Sequence, residues 1–141
     1  MPKMTPQMLE AFIKSDFPEV AHVGYKVSEL TDRSITVTIE TSESDLRPGG
    51  TVSGPTMMSL VDLTMYLLLL AQIGPVALAV TTNLNINFLR KPNPGKLRGE
   101  GRLLKLGKSL ATGDVSLYSE GVSEPVAHAT VTYAIPPAKN T

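Results

Sequence analysis

A chain of 141 residues has room for one domain with a real core but not for two, and its thirteen basic and thirteen acidic side chains leave no net charge and no basic block. That balance argues against nucleic acid and against an anionic membrane as partners. The absence of cysteine excludes a disulfide, a thiolate nucleophile and a Cys-based zinc site; His22 and His128 lie at opposite ends of the chain, without metal-ligand spacing, so no metal site is expected.

The opening Met-Pro-Lys-Met-Thr-Pro has neither the apolar stretch nor the small-residue cleavage site of a signal peptide, and a cytoplasmic domain spanning 1–141 is expected. Thr5-Pro6 reads as an N-cap and first-turn proline. Met8, Leu9, Phe12 and Ile13 then follow at helical spacing and predict a short amphipathic helix over 5–16. From Val20 to Leu30 apolar and polar residues alternate loosely, and from Ser34 to Thr41 they alternate cleanly, with Ile35, Val37 and Ile39 on one face. Two antiparallel strands are expected there, joined by a turn at Thr31-Asp32. His22 is read as a strand-face residue. Ser42 to Gly50 is read as a polar loop.

The centre of the chain is an apolar run, Met57 to Ile73, that predicts one helix over 55–73. Apolar residues occupy nearly every face, the pattern of a helix buried on all sides. Pro55 suits the first helical position, Ser53 or Gly54 the N-cap, and Gly74-Pro75 the stop. The run is shorter than the ~20 residues that span a bilayer and contains Ser59, Asp62, Thr64 and Gln72, so it is read as a core helix. Its one carboxylate, Asp62, must be paired, neutralised or used, because a buried and unpartnered charge is costly.

Four strands follow: Val76 to Leu89, Lys96 to Leu106, Ser109 to Ser119 and Val126 to Ile135, separated by short turns. In the first, Val80, Thr82, Leu84, Ile86 and Phe88 are predicted on one face, and Thr81, Asn83, Asn85 and Asn87 on the other, where the three asparagines are expected to meet a neighbouring sheet or subunit. His128 is read as a strand-face residue, and the tail 136–141 as disordered. No βαβ alternation occurs, so a parallel sheet is disfavoured. The expected fold is α+β, an antiparallel sheet wrapped around one long central helix.

Gly50-Thr51-Val52-Ser53-Gly54-Pro55 with Leu60-Val61-Asp62 resembles the motif of the PaaI-like hotdog-fold acyl-CoA thioesterases, which runs Gly-x-x-His-Gly-Gly and then Leu-x-Asp. Thr81 to Leu89 resembles the family's next strand, and Leu106-Gly107-Lys108 its Gly-Arg/Lys turn. Three positions depart from the pattern: Ser53 stands for the usual His, Arg47 for a frequent Asn, and Pro55 for the second Gly. The resemblance implies a hotdog fold and a thioesterase whose substrate brings coenzyme A with it, with no other cofactor. It also implies two shared sites in a homodimer, commonly doubled to a tetramer.

Thioester hydrolysis needs a carboxylate or base and donors aimed at the developing oxyanion. Asp62 supplies the first, as general base on water or as direct nucleophile through a mixed anhydride. The unpaired N–H groups of the helix start at Gly54 supply the second. Eight residues of helix separate them, ~12 Å at 1.5 Å per residue, so one carbonyl is expected to meet Gly54 of one subunit and Asp62 of another. Thr81 matches a family position that orients the attacking water, and is equally an ordinary strand threonine. Ser53 is read as an N-cap before a catalytic hydroxyl. Arg47 and Pro55 flank the expected substrate site, and Arg90, Lys91 and Lys108 lie near strand ends where CoA phosphates could dock; solvated charge is the plainer reading of each. Two other functions fit such a fold: a non-catalytic acyl-CoA or aromatic-ligand binder, favoured by the missing His, and a hydratase, which lacks its His-Asp pair here.

Overall fold

The computed structural model describes residues 2–21 and 24–137. Helix α1 (Pro6–Asp16) starts as its sequence requires, with the Thr5 hydroxyl accepting the Met8 N–H at 3.2 Å. A second short helix, α2 (Pro18–Ala21), follows at once. The sequence reading carried Val20 and Ala21 into a strand; Pro18 at a first helical position and the Phe17 carbonyl, which accepts from both Val20 and Ala21, turn them into helix instead. His22 lies outside the described residues. Strands β1 (Tyr25–Leu30) and β2 (Ser34–Glu40) form the expected hairpin.

The loop after β2 is more ordered than a polar loop. A 3-10 turn (Glu43–Asp45) leads into a small hairpin, β3 (Leu46–Arg47) with β4 (Thr51–Val52), that delivers the chain to helix α3 (Gly54–Ile73). After α3, residues 76–79 form a turn closed by Ala79 N–H to the Val76 carbonyl at 3.2 Å, so β5 begins at Val80 and runs to Phe88, not from Val76. Strands β6 (Lys96–Leu106), β7 (Leu110–Ser119) and β8 (Ala127–Ala134) complete a six-stranded, wholly antiparallel sheet in the order β1-β2-β6-β7-β8-β5. Of the C-terminal tail, only residues up to 137 are described.

The sheet curls round α3, whose Leu60, Val61, Met65 and Leu67 to Leu70 are all at most 1% exposed. This helix is long and apolar enough to cross a membrane, but its greasy faces are spent against the strands. Close approach depends on glycine at inward positions of β6 and β7. A Cβ on Gly99 would meet Thr64 Oγ1 at 2.6 Å, and one on Gly113 would meet the Arg102 carbonyl oxygen at 2.7 Å and Met65 Sδ at 2.8 Å. The helix therefore lies deeper in the concave face than side-chain-bearing strands would allow.

Candidate active site

Asp62 projects from α3, half-buried, into the wall of a cavity of about 770 Å3. Phe17, Leu63, Tyr66 and Ala79 give that cavity an apolar lining, and Asp45, Thr56, Asp62 and Thr81 a polar one. Two hydroxyls converge on the carboxylate: Thr81 donates to Asp62 Oδ1 at 2.6 Å and Tyr133 to the same oxygen at 2.8 Å. The Tyr133 hydroxyl also lies 3.3 Å from the Asp62 carbonyl oxygen. Among the described residues no donor reaches Oδ2.

Thr81 arrives there through a backbone irregularity. Strand alternation alone assigns it to the outer face with Asn83, Asn85 and Asn87, but the pairing of β5 with β8 slips between Thr81, opposite Tyr133, and Asn83, opposite Thr132. One extra residue in β5 reverses the parity, so Thr81 points at the helix while the three asparagines remain outside and exposed. Tyr133 sits on the inward row of β8 with Ala129 and Val131, 3% exposed. Burial above all outweighs the opposing Thr81 hydrogen bond, the next largest influence, and with the neighbouring Asp62 adding to it pushes the phenol far above the ordinary tyrosine range. It is a donor that keeps its proton.

Aromatic rings tie this corner to the N-terminal helices. Tyr133 stacks on Tyr66 (centroids 5.8 Å, 26°), Tyr66 meets Phe17 edge-on (5.7 Å, 90°), and Phe17 meets Phe12 (6.4 Å). Tyr66 donates to the Ala77 carbonyl at 3.2 Å, and burial, with Asp16 adding to it, raises its pKa to about 12.

The start of α3 is a separate cluster. Ser53 is the N-cap: its oxygen accepts the Thr56 N–H at 3.3 Å, and its proton goes to Thr56 Oγ1 at 3.0 Å, which in turn donates to Asp45 Oδ1 at 3.0 Å. The Ser53 N–H is held by the Asp45 carbonyl at 2.8 Å. Pro55 has no N–H to offer, and among the described residues nothing accepts the Gly54 N–H. Phe88 covers Gly54, leaving an added Cβ an ordinary 3.5 Å from its ring.

The cations expected to dock phosphates do not gather. Arg47 is exposed in β3, opposite Thr51. Arg90 is engaged with Glu124 at 2.7 Å and the Pro125 carbonyl at 2.7 Å. Exposed Lys91 follows the Phe88 end of β5, whereas Lys108 lies in the turn before Leu110, which aligns through Ala134 with Val80 at the opposite end. Sequence reasoning joined Asp62 to Thr81, and the structure adds Tyr133, Asp45 and Thr56. An inward-facing tyrosine and an orphan carboxylate in a greasy helix each demand a partner, which was the available signal for the first.

A sheet of this order curled about one buried helix is the hotdog fold, and its cavity carries a carboxylate fixed by hydroxyls. The thioesterase superfamily profile matches residues 49–126, from the turn before α3 to the edge of β8. The chain is similar to a Silicibacter sp. TM1040 protein assigned as a thioesterase: 46% identity, 97% of this chain and 95% of that one covered, TM-score 0.89. It is also similar to a phenylacetic acid degradation-related protein from Ralstonia eutropha JMP134, assigned as a thioesterase (27% identity, 88% and 98% covered, TM-score 0.78). A Streptococcus pneumoniae TIGR4 thioesterase-type protein, solved with coenzyme A, shares the fold at 21% identity, with 91% and 99% covered and a TM-score of 0.76. The protein belongs to the thioesterase superfamily.

Proposed function

We propose that the protein hydrolyses an acyl-CoA thioester at a site shared by two copies of the chain, and that it does so in the cytoplasm. The observation that carries this reading is the Asp62 carboxylate at the cavity wall, with Oδ1 bound by two hydroxyls and Oδ2 bound by no donor among the described residues. Water held by Oδ2 gives up a proton to it as its oxygen bonds to the thioester carbonyl carbon. The resulting oxyanion is received by a Gly54 N–H, and collapse expels the CoA thiolate, which recovers the proton from Asp62. Direct attack by Oδ2, with water then splitting the anhydride, uses the same groups. Thiolate is a good leaving group, and the chemistry asks for no metal or prosthetic group; coenzyme A enters as part of the substrate.

Two features support sharing. Gly54 and Asp62 lie ~12 Å apart along one helix. Strand β5 is an edge of the sheet with Leu78, Val80, Phe88 and Leu89, beside it or in it, all at least half exposed. Pairing that edge with a second copy would cover it and bring another helix start towards the cavity, in a homodimer or a dimer of dimers. The coenzyme A bound by the Streptococcus pneumoniae protein supports the choice of carrier. A panel of acyl-CoA esters, assayed with wild type and Asp62→Asn, tests the reading. At least one ester should be turned over with a kcat about 10²–10⁴-fold above that of the variant, and equal rates across the panel would overturn it.

A further inference from the structure

A carboxylate has two equivalent oxygens and a soft terminal torsion, so a catalytic aspartate that is free to turn spends time aimed wrongly. Here both hydroxyl donors fall on Oδ1 and none of the described donors falls on Oδ2. The two donors differ in firmness. Thr81 belongs to an exposed edge strand at its irregular end. Tyr133 belongs to an interior strand between β7 and β5, is 3% exposed, and is stacked against Tyr66. Its hydroxyl also lies within reach of the Asp62 main-chain carbonyl, so backbone and side chain of one residue are referred to one fixed point.

Resting on the thioesterase reading, we propose that Tyr133 is a positioning residue: it ties off Oδ1 of Asp62 and thereby commits Oδ2 to the attacking water or the thioester carbon. Burial raises the phenol pKa, which favours the protonated, donating form of this anchor. Tyr133 orients by donating a hydrogen bond rather than by transferring its proton, which separates it from a general acid.

Tyr133→Phe keeps the ring against Tyr66 and removes only the hydroxyl. The variant should lose roughly tenfold or more in kcat while KM, and Kd for a non-hydrolysable thioether analogue, stay within about twofold. In an Asp62→Asn background the same change should cost no further rate. A crystal structure of Tyr133→Phe should show the Asp62 carboxylate turned from its present plane. An unchanged kcat, or a carboxylate that keeps its place, overturns the proposal. If wild type hydrolyses no thioester, the functional reading fails by itself, and the carboxylate's orientation in Tyr133→Phe still decides the anchor. Should the phenylalanine variant not fold, a fluorinated tyrosine at 133 keeps the shape and strengthens the donor. It should draw charge from the carboxylate and lower kcat severalfold at constant KM, and no change would again overturn the proposal.

Discussion

Gly99 and Thr64 touch so closely that a methyl on the glycine would stand 2.6 Å from the threonine hydroxyl oxygen. That oxygen already donates to the Leu60 carbonyl at 2.7 Å in a fully buried setting, so it cannot turn aside without breaking a bond inside the helix. Gly99→Ala should therefore destabilise the fold by about 1–3 kcal/mol, the usual cost of overpacking. Gly113→Ala should cost more than Gly99→Ala, because its new methyl meets the Arg102 carbonyl in the strand ladder as well as Met65. Thermal or denaturant unfolding of the two variants beside wild type checks both the size and the order.

Gly54 offers the opposite case. An added side chain has room, and Ser53 already holds the extended backbone (φ −71°, ψ 154°) that a residue before proline adopts. Gly54→Pro should thus fold while losing the N–H assigned to the oxyanion. Expressed alone, it and Asp62→Asn should both be nearly inactive. Mixed at random, half the dimers would be heterodimers with one intact site of two, restoring about a quarter of wild-type activity. Assay of tagged mixed dimers measures it, and no recovery would show that each chain works alone.

Ser53 works at the helix start as a cap, with proton and lone pair both engaged. Ser53→Ala should lower stability by about 1 kcal/mol, the usual loss of a cap, and should leave Gly54 in place. A kcat that holds after correction for folded fraction would mark the residue as structural. A fall of a hundredfold would mark the hydroxyl as part of the reaction.

On the outer face of the sheet, Asp114 receives His128 Nε2 at 3.1 Å and two nitrogens of Arg102 at 3.2 and 3.1 Å. Burial works to raise the Asp114 pKa, but these two partners outweigh it and hold the carboxyl below its ordinary value. A carboxyl lowered by folding adds stability above its unfolded pKa, and loses it as pH falls through the folded one. The gap in Tm between wild type and Asp114→Asn should be full near neutrality and close in acid. A gap that stays constant with pH would contradict this.

The central helix and its carboxylate were legible because one charge in an apolar run is visible without any structure, and Pro55 and Gly74 mark the ends. The inward row of β8 was legible too, since its alternation is regular. The face of Thr81 was not: the slip falls within Thr81-Thr82-Asn83, where every side chain is polar and alternation has no apolar marker to shift. Helix α2 was missed because four residues are too few for a period, although Pro18-Glu19 carried a start signal. The glycines at 99, 101 and 113 fall on inward positions of two strands, which announces a close neighbour without naming it. The Asp62–Tyr133 bond spans 71 residues, and no local spacing encodes such a pairing.

That span sets an order of events during synthesis. Strand β5 leaves the ribosome well before β8, yet its only neighbour in this sheet is β8, which slots between it and β7. Until then β5 lacks the strand it pairs with here, and Asp62 lacks its phenol. A nascent or prematurely terminated chain lacking residue 133 cannot form the Asp62–Tyr133 bond, so this corner closes last.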